Sequence, residues 1–278
     1  MLDRLKVAAR QKLQRALTEV VEAELASTRQ RLEDMHAERS AQLQALGEQL
    51  RALDARFRPV TERIELLEHS TRRDITYALD IAATAETAAF VEEQMPRAAR
   101  FWHPHDTLRF ALSEVKGGPG LALEFGVATG TTLAIISDAL SDELRVVGFD
   151  TFEGLPEPWR SGFPVGEFAQ ESIPDVPGAE LVTGLFQDTL PRFVAECDDA
   201  VVFAHLDADL YSSTKTVLDL IGDRLSPGAV LVFDEFFNYP GWQHHEYRAW
   251  QEFVARSGRT FEYLGYTCDN EQVVIRLH

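Results

Sequence analysis

Four acidic side chains follow two apolar segments in the C-terminal half of the chain. Asp207 and Asp209 come after AVVFA, and Asp234 and Glu235 come after GAVLVF. Both segments read as buried strands, where an unpaired carboxylate is costly and neighbouring carboxylates raise one another's pKa. The nearest cation in sequence, Lys215, lies a turn into the following helix. A set of carboxylates without cysteine suits a hard divalent ion such as Mg²⁺; the alternative is that some of them cap helices or bind backbone amides.

A glycine turn follows an earlier apolar segment, LALEFGV. Its spacing is GxxxG, which differs from the GxGxxG of a dinucleotide pyrophosphate site and disfavours an NAD(P) oxidoreductase. An acidic residue in the turn suits a cofactor with a cationic or hydroxylated part; an ordinary strand-to-helix turn is the alternative. The cofactor-binding residues predicted here are Glu124, Gly126, Thr129 and Gly130.

Two further segments supply candidate cofactor residues. Asp150 ends the next apolar strand, roughly 20 residues beyond the glycine turn, where a carboxylate can accept both ribose hydroxyls of a nucleoside. Its alternative role is to cap a helix or brace a loop. Gln187 and Asp188 could read an adenine amino edge, although Asp188 could equally cap the next helix. Thr151 and Phe152, which follow Asp150 directly, complete the predicted cofactor site.

These residues must be positioned by the elements between them. From about residue 118, apolar strands alternate with helices, which predicts an α/β fold with a mostly parallel sheet covered on both faces. The last two of seven predicted strands, TFEYLGYT and QVVIRLH, are joined by the short turn CDNE and are expected to form an antiparallel hairpin. Ligands bind such sheets outside the carboxyl ends of the strands. The segment 151–178, with Trp159, Phe163 and Phe168, is a candidate lid, or a plain surface loop.

The N-terminal quarter of the chain has a different pattern. Between residues 43 and 67, apolar side chains recur at alternating intervals of three and four, which is the a/d pattern of a coiled coil. We therefore predict a helical extension over 1–68, as a long helix or a helical hairpin that could kink at Pro59, and a second domain over 69–278 with a helical lead-in to 118. Self-association into a homo-oligomer is favoured over packing of this helix on its own domain.

Composition narrows the class of protein. Residues 1–70 carry 12 basic and 12 acidic side chains, so the whole net charge of −18 belongs to the remainder, which argues against a nucleic-acid partner. The two cysteines form no CxxC pair, so zinc sites and disulfide frameworks are not expected. There is no apolar run of about 20 residues that would predict a membrane span. The N-terminus has no secretory signal pattern, and we expect a cytoplasmic protein.

Four segments in combination resemble one family. FDTFEGLPE, GLFQDTLP, HLDADLYSST and VFDEF are similar to segments of the macrocin O-methyltransferase family, over about residues 118–278. The resemblance implies a Rossmann-like class I methyltransferase fold, S-adenosylmethionine as methyl donor, a divalent metal and a sugar hydroxyl as acceptor. More distantly, GLFQDTLP and VLVFDE resemble segments of catechol O-methyltransferases.

The resemblance also implies roles for residues. Asp207, Asp234 and Glu235 would be the metal ligands, and Asp209 would be the general base. Four of the cofactor candidates match the family's cofactor positions: Glu124, Gly126, Asp150 and Asp188. The expected activity is O-methylation of a saccharide or a glycosylated natural product, with a small molecule or oligosaccharide as acceptor. One alternative is a phenolic or catechol-type acceptor, although the Lys that catechol enzymes use shortly after the first metal-ligand Asp is absent here. The other is a non-catalytic cofactor-binding coiled-coil scaffold.

Overall fold

The computed structural model describes residues 2–116 and 118–278, and the chain divides into two compact units after Asp74. The first unit is one helix, α1 (Leu2–Arg73), which continues through Pro59. The long helix is therefore formed and the helical hairpin is not. The predicted boundary at residue 68 lies inside α1, because neither glycine nor proline interrupts the chain between Pro59 and Arg73.

The second unit alternates helices and strands around one sheet. Its helices are α2 (Ile75–Gln94), α3 (Pro104–Ser113), α4 (Thr131–Leu140), α5 (Phe186–Glu196), α6 (Tyr211–Ile221) and α7 (Glu246–Ser257). Its strands are β1 (Ala99–Phe101), β2 (Leu121–Phe125), β3 (Arg145–Asp150), β4 (Ala179–Thr183), β5 (Val201–Leu206), β6 (Leu225–Phe233), β7 (Phe261–Thr267) and β8 (Val273–Leu277). Short 3₁₀ turns lie at Gly222–Arg224 and Trp242–His244. No helix in the described part of the chain is long and apolar enough to cross a membrane.

The strand order is β1-β7-β8-β6-β5-β2-β3-β4, and β8 pairs antiparallel with both β6 and β7. The predicted α/β fold with a mostly parallel, Rossmann-like sheet and a C-terminal antiparallel hairpin is thereby confirmed. The sheet has eight strands where seven were predicted. The additional strand, β1, lies in the lead-in predicted to be helical, and three residues are too few to show an alternating pattern.

Burial on both faces explains why the strands are continuous apolar runs. Every residue of β2 is buried, and the sheet separates two hydrophobic clusters. Phe125 and Phe149 stack on one side, with ring centroids 5.2 Å apart, while Leu133 and Ile136 of α4 pack on the other. Such strands expose polar groups only where they end.

The register aligns the strand ends that carry the acidic residues. Leu206, the last residue of β5, pairs with Phe125 on one side and with Phe233 on the other. Asp207 and Asp234 therefore leave neighbouring strands at the same level. Gly126 leaves β2 with φ of 96°, and a Cβ built there would lie 1.7 Å from the Asp207 carbonyl oxygen. Only glycine allows this close approach of the two turns.

We expect Gly126→Ala to lower the free energy of unfolding by roughly 3 kcal/mol or more, because it adds a backbone clash to a left-handed conformation. Gly228→Ala is the matched control, since φ is 87° there and nothing lies within 4 Å of the added Cβ. Its cost should stay near roughly 1–2 kcal/mol. Urea unfolding of both variants measures the difference, and equal costs would show that the approach to Asp207 is not tight.

Candidate functional site

A cavity of about 380 Å³ opens at the carboxyl ends of the parallel strands. The turns after β2, β3, β4, β5 and β6 line it, together with the 151–178 segment and the β7–β8 turn. The predicted site residues that line the cavity are Gly126, Asp150, Thr151, Gln187, Asp207, Asp209 and Glu235. These seven predicted residues therefore meet at one place, where ligands of α/β sheets bind.

The turn between β5 and α6 presents Asp209 to the cavity in an uncommon backbone conformation. Asp209 has φ of 56°, and the Leu210 N–H donates to the Ala208 carbonyl oxygen, so the three residues form a γ-turn with a left-handed centre. Burial raises the pKa of Asp209 to about 7, the charge of Asp234 adds to this, and Arg160 opposes it. A carboxyl group with this pKa can accept a proton near neutral pH.

Asp207 belongs to two groups of potential ligand atoms that each lie within 4.8 Å of one another. One group joins it to His205 and Asp234, and the other to Asp209 and Glu235. Burial raises the pKa of Asp207 and of Glu235 well above the usual range, and the charge of Asp234 raises both further. Glu235 Oε2 is buried and has no hydrogen-bond partner in the described part of the chain. A divalent cation would satisfy this oxygen and offset the repulsion, so the donor set fits one.

A buried histidine joins three strand ends behind the cavity. His205 Nδ1 lies 2.8 Å from Glu124 Oε1, and its Nε2 lies 3.5 Å from Asp234 Oδ1. Burial disfavours the imidazolium, but hydrogen bonds to Asp234 and Glu124 outweigh it and raise the pKa of His205 well above its usual value. Burial likewise raises the pKa of Glu124, whereas for Asp234 the contacts with His205 outweigh burial and lower the pKa. His205 therefore holds an ionised Asp234 in place.

Glu124 and Asp234 do not line the cavity. Glu124 is fully buried, so the structure places this predicted cofactor residue beneath the glycine turn and against His205. Asp234 faces Asp207, and its Oδ2 accepts from the Gln272 side-chain amide at 3.1 Å. Of these two predicted metal ligands, Glu235 therefore lines the cavity and Asp234 does not.

Asp150 braces the glycine turn with both of its oxygens. Its Oδ2 accepts from the Val127 and Ala128 N–H groups, both at 2.8 Å, and its Oδ1 accepts from the Phe152 N–H at 2.7 Å. The loop-bracing role that the sequence left open is therefore present. Oδ1 can accept a further hydrogen bond, and Asp150 lines the cavity, so the arrangement is compatible with ribose binding as well.

Four other predicted cofactor residues lie outside the cavity lining. Thr129 and Asp188 are exposed, and Asp188 lies in the first turn of α5, whose N-cap is Leu185. Gly130 and Phe152 are buried and have positive φ of 81° and 59°. These positions account for both residue types without a ligand. Gly130 is the N-cap of α4, and Phe152, near the start of the 151–178 segment, packs into the hydrophobic core.

The 151–178 segment forms one wall of the cavity through Trp159, Phe163 and Phe168. It also supplies Arg160, which the sequence did not single out. Arg160 is the one cation among the described residues that line the cavity. Its guanidinium lies 4.0 Å from the centroid of Trp159 and 3.0 Å from Glu271 Oε1 in the β7–β8 turn. In the sequence, Arg160 is visible only as part of a Trp-Arg pair in an aromatic-rich loop. Glu271, which accepts from its guanidinium, lies 111 residues further along the chain.

Glu246, at the start of α7, is a second residue that sequence reasoning missed. It is fully buried; its Oε1 accepts from the Thr214 hydroxyl, and its Oε2 accepts from the Glu235 N–H, both at 3.1 Å. Burial raises the pKa of Glu246 to about 8. The carboxyl group thus connects α6, which follows the Asp209 turn, to the Glu235 turn.

Comparison with known proteins agrees with this geometry. Residues 123–236, which contain most of the site, match a family described as a methyltransferase domain. The match confirms the prediction of a methyltransferase. No curated protein matches the chain.

Several solved structures are similar in part. The calicheamicin methyltransferase CalS11 is 24% identical, with a TM-score of 0.49, over 76% of this chain and 90% of that one. The O-methyltransferase NovP is 22% identical, with a TM-score of 0.46, over 62% and 78%. An O-methyltransferase from Bacillus cereus in complex with SAH is 18% identical, with a TM-score of 0.46, over 76% and 95%.

We expect Glu246→Leu to weaken Mg²⁺ binding by about 10- to 100-fold, because the Thr214 hydroxyl and the Glu235 N–H lose their acceptor and the Glu235 turn loosens. Glu246→Gln is the matched control, since its amide can accept from the Glu235 N–H and donate to the Thr214 hydroxyl oxygen. Calorimetric titration with Mg²⁺, alongside urea unfolding, separates the effects. If Glu246→Leu lowers the free energy of unfolding and leaves the Mg²⁺ affinity unchanged, Glu246 stabilises the fold and does not orient the cation's ligands.

Proposed function

We propose that the protein is an S-adenosylmethionine-dependent O-methyltransferase that uses a divalent cation and acts on a hydroxyl of a saccharide or a glycosylated natural product. The observation that supports this most strongly is that Asp207, Asp209 and Glu235 converge in one cavity of a methyltransferase domain, with potential ligand atoms within 4.8 Å of one another. The macrocin-like motifs, which lie in the turns that line the cavity, favour the sugar acceptor over a phenolic one.

Asp209 would act as the general base. Its carboxylate lines the cavity, so it can take the proton of an acceptor hydroxyl that binds there. S-adenosylmethionine, when bound, would supply the methyl group to this oxygen, and S-adenosylhomocysteine would leave with the electron pair of the broken carbon–sulfur bond. Alignment of oxygen, carbon and sulfur contributes much of the rate, so the rigid turn at Asp209 serves positioning as well as proton transfer.

Asp207, Asp234 and Glu235 would hold the cation. Bound there, a divalent ion would fix and acidify the acceptor oxygens. The protein's own contribution is to orient these ligands and to keep Asp234 ionised. His205 holds Asp234 in its charged form, and Glu246 holds the Glu235 backbone. In each case a buried partner sets the orientation of a ligand from behind.

The methyl donor would lie along the turns after β2, β3 and β4. Asp150 would accept from the ribose hydroxyls, and Gln187 would contact the adenine. The wall formed by Trp159, Phe163 and Phe168 would exclude water from the cationic sulfonium, whose positive charge suits the acidic cavity. Arg160 would hold this wall to the β7–β8 turn through Glu271.

Calorimetry should show that the protein binds S-adenosylhomocysteine and does not bind NADH; the reverse would refute methyl transfer. Asp150→Ala should weaken binding of S-adenosylhomocysteine by about 10- to 100-fold, because hydrogen bonds to a charged acceptor are lost. A 2′,3′-dideoxy analogue separates ribose binding from bracing. It should bind the unaltered protein more weakly than S-adenosylhomocysteine does, and the two should bind Asp150→Ala equally. If S-adenosylhomocysteine and the dideoxy analogue bind the unaltered protein equally, Asp150 braces the glycine turn and does not bind the ribose.

Asp209→Asn should lower kcat by about 10²- to 10⁴-fold and leave S-adenosylhomocysteine binding intact, because the amide cannot accept the proton. Asp207→Ala, or EDTA, should abolish turnover by removing the cation and should also spare donor binding. Asp138→Asn, at an exposed position of α4, is the control. Turnover is measured by methyl transfer to a panel of glycosides and phenols. Activity that survives both EDTA and Asp207→Ala would exclude the metal, and transfer to phenols alone would exclude the sugar acceptor.

A further inference from the structure

Helix α1 carries an exposed apolar stripe at the a and d positions of its heptads. Within it, the exposed fraction ranges from 47% at Leu53 to 64% at Leu43. The stripe consists of Leu43, Leu46, Leu50, Leu53, Phe57, Val60, Ile64 and Leu67. A continuous stripe of large apolar side chains on a protein surface marks a place where another molecule binds.

The charges that flank the stripe indicate what that molecule is. With Leu43 at position a, the g positions within the stripe are Gln49, Arg56 and Arg63. The e positions are Gly47, Asp54 and Thr61, followed by Glu68 one residue beyond the stripe. The g row therefore has no acid and the e row has no base. In a parallel, in-register pair of helices each g residue faces the e residue five positions later in the partner, which places Arg63 opposite Glu68 and pairs no like charges.

An antiparallel pair would bring these charges into conflict. There g residues face g residues and e residues face e residues. When the two stripes overlap fully, Arg56 would face Arg56 and Asp54 would face Asp54. Like charges at these positions act against a wrong partner or orientation. The charge pattern of the stripe is thus complementary to a second copy of itself in one direction only.

The ion pairs within this part of the helix involve the e-row acids, so the g-row arginines can pair with another molecule. The e-row acids Asp54 and Glu68 pair with Arg58 and Arg72 at 2.9 and 3.0 Å, but both pairs are largely exposed and such pairs stabilise little. Arg56 and Arg63 form no ion pair with any residue that the structure describes. A partner helix would give these arginines acidic or polar neighbours that their own helix does not provide.

We propose that residues 43–67 of α1 bind the same residues of a second copy as a parallel, in-register coiled coil. The apolar stripe supplies the buried core, and the asymmetry between the e and g rows sets the direction. This interface stands apart from methyl transfer, because it is built from the helical unit alone.

Single cysteines test the direction in the full-length chain. With Cys197→Ser and Cys268→Ser as background, Leu46→Cys and Leu67→Cys are made separately and oxidised. Each should give disulfide-linked dimers on a non-reducing gel, because every d residue faces its own counterpart in a parallel pair. Glu48→Cys, at an outward f position, is the control that should stay largely unlinked. An antiparallel pair has one centre and could link at most one of the two positions, which would overturn the proposed direction.

Charge exchange tests the g–e pairing independently. Arg63→Glu should shift the mass measured by light scattering towards the monomer at low protein concentration, and the double variant Arg63→Glu with Glu68→Arg should restore the assembly. The catalytic unit's unfolding transition verifies that each variant is folded. A monomeric unaltered protein, or a double variant that is no more associated than Arg63→Glu, would refute the proposal.

Discussion

The accumulation of negative charge where β5 and β6 end is the constraint on which the rest of the site depends. Asp207, Asp209, Asp234 and Glu235 leave two neighbouring strands at one level of the sheet, and burial forces them to be paired or protonated. The surrounding structure compensates for this negative charge in two ways. His205 keeps one carboxylate charged from behind, and the remaining oxygens converge where a cation can join them.

The elements that position the site were predictable because they repeat simple patterns. Fully buried parallel strands leave continuous apolar runs, and the turns after them expose polar residues at a fixed edge of the sheet, so Asp150, Asp207 and Glu235 could be placed together from the sequence. All three line the cavity. The short strand β1 escaped prediction because three residues carry no recognisable period.

The residues that sequence reasoning missed act through partners that are distant along the chain. Arg160 meets Glu271, and Glu246 reaches Thr214 and the backbone of Glu235. Spacing cannot reveal such contacts, since they depend on how α7 and the hairpin pack on the sheet. The same limit applies to Glu124: a strand-end carboxylate has the same appearance in sequence whether it enters the cavity or turns inward to a histidine.

The left-handed backbone at Asp209 restricts which amino acids this position can accept. At φ of 56°, side chains branched at Cβ are strained, whereas Asp, Asn and Gly are tolerated. Among the acidic residues, the shorter side chain is therefore the one that suits the turn, and its short reach ties the carboxylate to the γ-turn itself. Two independent requirements therefore favour aspartate at position 209: the residue would have to accept a proton, and it has to tolerate a positive φ.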